Sequence, residues 1–225
     1  MSTKEKITAS ALTLFAKRGF DATSLKDITT LADVNVAAIH YHFGNKDDLI
    51  RAVLESVAQP INTLRTQALE KLSGEGTLTL ERVVDALVAP PIMYSLQTTG
   101  DSRLLIRLLM QARALPHATT NAAIFEQYDA MALLFVESFM KVTPGLARAE
   151  AFWRYSFTIG AMMYIISDGD KNYHRLNRLS AGLCDTDDPQ IIIKQLVAFV
   201  VAGFSAPNIP TPAPLKEETH DSKNN

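Results

Sequence analysis

Residues 23–46 read TSLKDITTLADVNVAAIHYHFGNK, and this stretch decides the fold. Ser24 precedes a helical run and Asp27 follows it three residues on, the pattern of a capping box, so a short helix is predicted over 25–32. Leu25, Ile28 and Leu31 are expected to face inward at helical spacing. Asp33-Val34-Asn35 makes a tight turn. A second short helix is predicted over 36–43, with Ile39 and Phe43 on its buried side and Gly44 as its stop. Asn45 then caps a third helix that starts at Lys46. Helix, turn and helix are the parts of a device that lays one helix in the DNA major groove.

Such a helix must be short, packed on one side, and polar or small on the other. The outer side of 36–43, with its cap, offers Asn35, Val36, Ala37, Ala38, His40, Tyr41 and His42. Ala37 and Ala38 permit close approach to base edges and thymine methyls. His40, Tyr41 and His42 can donate to phosphates or reach bases. Ser24 and the first amides of helix 25–32 form one anion site, and Lys46 with the amides opening the next helix forms a second. Together they would hold phosphates on either side of a groove. Duller readings stand beside these. Ser24 is a cap in any case, Lys26 is a DNA contact or simply solvated, and Tyr41 or His42 could pack between helices.

Bulk charge gives no support. The 225 residues carry 22 Lys and Arg against 24 Asp and Glu, a net charge of −2. Up to Asp48, Lys4, Lys6, Lys17, Arg18, Lys26 and Lys46 are balanced by Glu5, Asp21, Asp27, Asp33, Asp47 and Asp48. DNA binding must therefore rest on where charges sit. The single cysteine, Cys184, excludes an internal disulfide framework and a Cys-based zinc site. His40 and His42 are the only close histidines, and their i,i+2 spacing puts them on different sides of a helix, against a metal site. With no Gly-rich phosphate loop or nucleophile elbow either, a non-enzymatic protein without cofactor is expected. Lys17-Arg18-Gly19 stand where a signal peptide needs a small-residue cleavage site. The apolar run 191–204 is too short for a span and is interrupted by Lys194 and Gln195. A cytoplasmic protein with no membrane partner is expected.

Almost every other segment has helical period. Helices are predicted over 3–17, from 46 towards 72 with a bend near Pro60, over 80–96 disturbed by Pro90-Pro91, and over 102–115, 120–142, 147–167 and 189–204, with a short one around 173–179. The expected fold is all-α. An N-terminal three-helix helix-turn-helix domain (1–47) is followed by a larger helical ligand-binding and dimerisation domain (48–205) and a proline-rich tail (206–225) expected to be disordered.

The residues Leu14-Phe15-Ala16-x-x-Gly19-Phe20, Thr23-Ser24, Ile28, Ala32, Val34 and Tyr41-His42-Phe43-Gly44-Asn45-Lys46-x-x-Leu49 closely resemble the DNA-binding domain of the TetR family of bacterial regulators. The resemblance implies a homodimer on operator DNA, usually a repressor, controlled by a small-molecule effector. It assigns phosphate contacts to Ser24, Tyr41, His42 and Lys46, and base contacts to 35–38 and His40. The family usually has Gly where this chain has Asp33, a residue that still tolerates the left-handed backbone. A weaker similarity, in 35–44, 105–109, Phe152-Trp153-Arg154 and Ile159-Gly160-Ala161, is to the PsrA-type branch, which implies a fatty acid or acyl-CoA as effector.

Helices 147–167 and 189–204 are the candidates for a dimer face, the second through Ile192, Leu196, Phe199, Val200 and Gly203; burial in a monomer core is the alternative. A pocket for a mostly apolar ligand would lie among the middle helices, lined from Met93, Leu96, Arg107, Met110, Phe125, Tyr128, Met131, Phe135, Trp153 and Phe157, although core packing also explains most of these. Arg107 and Arg113 sit on an apolar helix and need a partner, either a ligand anion or a carboxylate such as Glu126 or Glu137. The competing function is a constitutive DNA-binding protein whose large domain only dimerises.

Overall fold

The computed structural model describes residues 1–97, 108–110, 112, 118–168 and 174–209. Helices account for the regular structure of these residues: α1 (Thr3–Arg18), α2 (Leu25–Ala32), α3 (Val36–Phe43), α4 (Lys46–Gly74), α5 (Leu80–Gln97), α6 (Ala118–Val142), α7 (Arg148–Asp168), α8 (Arg175–Leu179) and α9 (Pro189–Ser205). The described part of the expected helix 102–115, residues 108–110 and 112, is helical; the rest of it, Tyr173, and the tail from 210 onwards lie outside the described residues.

Local chemistry sets the ends of the first helices. Ser2 and Glu5 form a capping box at α1, and Ser24 and Asp27 form the expected one at α2. Asp33 closes α2 at φ 53° and ψ 54°, a left-handed backbone. The N–H of Asp33 donates to the Thr30 carbonyl and that of Val34 to the Thr29 carbonyl, which supplies partners for the exposed end of the helix.

α1, α2 and α3 pack on one another and on the first half of α4. Ile7, Ala11, Phe15, Ile28, Ile39, Leu49 and Val53 are fully buried in their core. The inward face of α2 differs from the expected one. Leu31 is 53 % exposed, while Thr29 and Ala32 are buried beside Ile28. Leu31 lies a full turn from Ile28 but on the flank, whereas α1 meets the 28/29/32 stripe.

The second core holds Leu69 and Leu72 of α4, with Val83, Leu87 and Ile92 of α5, Phe135 and Phe139 of α6, Ala151 and Met162 of α7, and Ile193, Val197 and Phe204 of α9. α4 is thus common to both cores, and it continues through Pro60 without a break. α5 likewise runs through Pro90 and Pro91. The buried stripe of α9 is rotated from the expected face. Ile192, Leu196 and Val200 are buried with Ile193 and Val197, whereas Phe199 is 70 % exposed and Gly203 is exposed. Packing of α9 against α5 draws in the 193/197 side and leaves 199/203 outward.

Arg154 fastens the end of α9. Its Nη1 donates to the Phe204 carbonyl (2.7 Å) and its Nη2 to the Pro207 carbonyl (3.0 Å), with Glu150 at 3.3 Å as counter-charge. A buried cation at a helix C-terminus meets unpaired carbonyls and the negative end of the helix dipole. Glu126 and Glu137, the carboxylates considered for Arg107 and Arg113, pair with Arg51 and Arg148. Arg107 and Arg113 lie outside the described residues.

The left-handed conformation at Asp33 sets a stability test. Asp33→Gly should keep or raise the free energy of unfolding, while Asp33→Val should lower it by about 1–2 kcal/mol. Urea unfolding with an unchanged denaturant slope checks both.

Candidate nucleic-acid interface and effector cavity

α3 is held from behind and bare in front. Ile39 and Phe43 are buried, and Lys4 lies 5.9 Å from the centre of the Phe43 ring. Asn35 caps the helix, its Oδ1 accepting from the Ala37 N–H at 2.9 Å, which leaves the Asn35 amide group as a donor towards solvent. Val36, Ala37 and His40 are exposed. Ala38 is half-buried against the first core, so Ala37 is the smaller obstacle to a base edge.

Tyr41 is 86 % exposed and touches the half-buried His42 edge-to-face at 4.9 Å. It packs between no helices, which removes the structural alternative for that residue. The His40 Nδ1 lies 2.9 Å from the Gly44 carbonyl. A carbonyl can only accept, so Nδ1 carries the proton and Nε2 is the nitrogen left for a partner. This bond also stabilises the turn at Gly44, where φ is 85°.

The two helix N-termini flanking α3 are less simple than their sequences imply. The Ser24 hydroxyl donates to Asp27 at 2.6 Å and accepts from the Asp27 N–H at 3.1 Å. It must turn away from Asp27 to donate to a phosphate. The Ser24 hydroxyl and backbone N–H hold the Asp27 carboxyl below the usual carboxylate range. The box therefore keeps its charged form above that range and loosens only as pH falls through the lowered value. Lys26 is exposed beside it. At α4, Asn45 caps the Asp48 N–H (2.9 Å), and Asp47 and Asp48 stand in the first turn next to the half-buried Lys46. The Thr119 hydroxyl on α6 donates to Asp47 at 3.0 Å, and Arg51 pairs with Glu126. The start of α4 is therefore tied to the start of α6.

Further along α4 the side chains meet a cavity of about 210 Å³. Ile61 and Arg65 of α4, Pro91 of α5, Leu109, Ile124, Phe125, Tyr128 and Asp129 around α6, and Tyr155, Ile159, Met162 and Met163 of α7 wall it. Of the sequence candidates among the described residues, only Phe125 and Tyr128 are on that wall, and Arg107 lies outside the described residues. Met131 and Phe135 are buried in the second core, and Met93 and Leu96 pack on its edge. Met110 is exposed, and Trp153 and Phe157 are 61 % and 65 % exposed, their rings stacked 5.8 Å apart.

Arg65 was missed by the sequence reading. It is 3 % exposed. Its Nε donates to the Leu87 carbonyl at 2.8 Å, and its Nη2 lies 3.7 Å from the Met162 sulfur. The Leu87 carbonyl is available for a physical reason. Its partner within α5 would be the N–H of residue 91, and proline has none. Burial pushes the Arg65 guanidinium down from its ordinary range, against the pull of Tyr155 and Tyr128. The signal was present in the sequence: Ile61, Arg65 and Leu69 recur at the i+4 spacing of one apolar stripe. Among the described residues no cluster of ligating side chains could hold a metal ion, and no helix is long and apolar enough to cross a membrane.

The first bundle and its bare helix define a helix-turn-helix DNA-binding regulator. The tetR-family model of bacterial regulatory proteins matches residues 7–53, and the tetracyclin repressor-like C-terminal domain matches residues 85–203. The chain belongs to the TetR family of bacterial transcriptional regulators. It is 41 % identical over 78 residues to the probable HTH-type transcriptional regulator YttP of Bacillus subtilis, covering 30 % of this chain and 38 % of that one. It is 38 % identical over 53 residues to the biofilm-operon negative transcriptional regulator IcaR of Staphylococcus epidermidis, covering 24 % of this chain and 29 % of that one. The matches thus span well under half the length of either relative. The fold is shared with AibR, crystallised with isovaleryl coenzyme A and operator DNA, at a TM-score of 0.62 and 15 % identity over 88 % of this chain and 97 % of that one.

Substitutions on α3 and at the start of α4 separate positioning from reading. Lys46→Ala should weaken binding to all DNA sequences alike and reduce the salt dependence by about one counterion. Ala37→Gln should change which sequence is preferred without altering the melting temperature, whereas Ala38→Gln should also destabilise the fold. Fluorescence anisotropy on a panel of duplexes, beside thermal unfolding, checks both.

Proposed function

We propose that the protein is a homodimeric repressor that binds a palindromic operator and is released by a small, mostly apolar effector of the fatty-acid or acyl-CoA class. The observation that carries this reading is α4, which starts at Lys46 beside the DNA-facing helix and runs unbroken to the cavity wall at Ile61 and Arg65. Ile61 and Ile124 belong at once to the first core and to that wall. A ligand pressing on them acts on the packing beneath α3. Ser24, Lys26, Tyr41, His42 and Lys46 serve the phosphates, and Asn35, Val36, Ala37, Ala38 and His40 face the bases.

Exposed aromatics on two helices support the dimer. Trp153, Phe157 and Tyr164 on α7 and Phe199 on α9 are all more than half exposed. Gly160 and Gly203 on the same helices have nothing within 4 Å of a built Cβ, so a second backbone can approach closely there. A self-complementary pairing of α7 and α9 covers this surface and sets two α3 helices on successive grooves, about 34–36 Å apart. The effector favours a dimer with the wrong spacing, and it weakens DNA binding only by its difference in affinity for the two states. The isovaleryl coenzyme A in the AibR structure and the similarity to the PsrA-type branch both support an acyl effector.

Anisotropy titration on duplex DNA from upstream of the gene should give salt-sensitive, sequence-preferring binding; its absence overturns the reading. Phe199→Glu should weaken self-association by roughly 30-fold or more, about 2 kcal/mol. Sedimentation equilibrium measures this, and an unchanged dimer would place the interface elsewhere.

A further inference from the structure

Arg65 poses a problem that the fold alone does not solve. Arginine keeps its charge in proteins, and a buried charge without a counter-charge is costly. Among the described residues no carboxylate lies within ion-pair distance of it. Of its five N–H donors, one meets the Leu87 carbonyl and one points to the Met162 sulfur, which is a weak acceptor; three are left. The side chain lines the 210 Å³ cavity rather than a solid core. Its Nε is pinned through the carbonyl that Pro91 leaves open, so the orientation of the planar fork is set in advance.

We infer that Arg65 is the anchor for a carboxylate, and that the effector is a compact monocarboxylic acid taken up head-first. This rests on the cavity being the effector site. The terminal nitrogens of Arg65 can meet two carboxylate oxygens at once, the contact for which a guanidinium is best shaped. Tyr128 and Tyr155 stand on the same wall beside the head group, and Ile61, Ile124, Ile159 and Met163 take the apolar body. Asp129 lines the same cavity but is exposed to solvent, whose high dielectric weakens its repulsion of a bound carboxylate. The volume limits the body. A dry cavity of about 150 Å³ holds benzene, so about 210 Å³ holds a ring or short branched chain with its carboxylate. A whole coenzyme A does not fit within it.

The test is calorimetric titration of the full chain with straight, branched and aromatic monocarboxylates of about four to ten carbons. Each is paired with its neutral amide and its coenzyme A thioester. At least one acid should bind roughly tenfold or more tightly than its amide, about 1.4 kcal/mol, and lower affinity for operator DNA. Arg65→Gln should abolish that preference while the acid-free protein still binds DNA. If the variant fails to fold, the acid–amide comparison on the unaltered protein decides alone. Three outcomes overturn the inference: no acid binds, amides bind as tightly as acids, or a thioester binds more tightly than its acid and Arg65→Gln leaves this unchanged. An acid preference that persists in Arg65→Gln, with DNA binding intact, removes only the Arg65 assignment. Absence of DNA binding removes the regulator reading instead.

Discussion

One helix is built into two cores, and the rest of the structure depends on that. Leu49 and Val53 of α4 are sealed beneath α3, while Leu69 and Leu72 of the same helix are sealed among α5, α6 and α9. A flexible linker between the bundles would let each move alone. A continuous helix does not, because bending it breaks its own backbone hydrogen bonds. Pro60 removes one of those bonds, but the helix passes through it. The Asp47–Thr119 and Arg51–Glu126 contacts add a second attachment between α4 and α6 near the DNA-facing end. α3 and the larger bundle are therefore joined by a continuous helix and by two side-chain contacts rather than by a flexible linker.

The first bundle was legible in the sequence because its signals are local. Caps at Ser24 and Asn45, the turn over 33–35, the stop at Gly44, and the buried pair Ile39 and Phe43 all act within a few residues of themselves. Where the reading slipped, a distant partner had decided. Leu31 has the spacing of a buried residue, yet α1 packs on its neighbours. The apolar residues of α9 form a belt wide enough for two partners, and periodicity alone does not say which edge α5 takes.

The cavity was the least legible part, because among the described residues five segments far apart in sequence line it. Large apolar residues of the middle helices were natural candidates, but size says nothing about direction. Phe135 and Met131 went to the core, Trp153 and Phe157 to the surface, and only Phe125 and Tyr128 to the wall. The informative residue was the exception in an apolar stripe. Arg65 breaks the pattern of Ile61 and Leu69, and a charge at a core position marks either a counter-charge or a space nearby.

Pro91 acts on a side chain of another helix. Any other residue there would restore an N–H, which would compete with Arg65 for the Leu87 carbonyl and weaken the bond that aims it. The loss would leave no gap in the core and no obvious flaw in either helix, yet it would blur the direction of a side chain on a different element. A helix-breaking residue in the middle of a helix is here a spatial reference point for its neighbour.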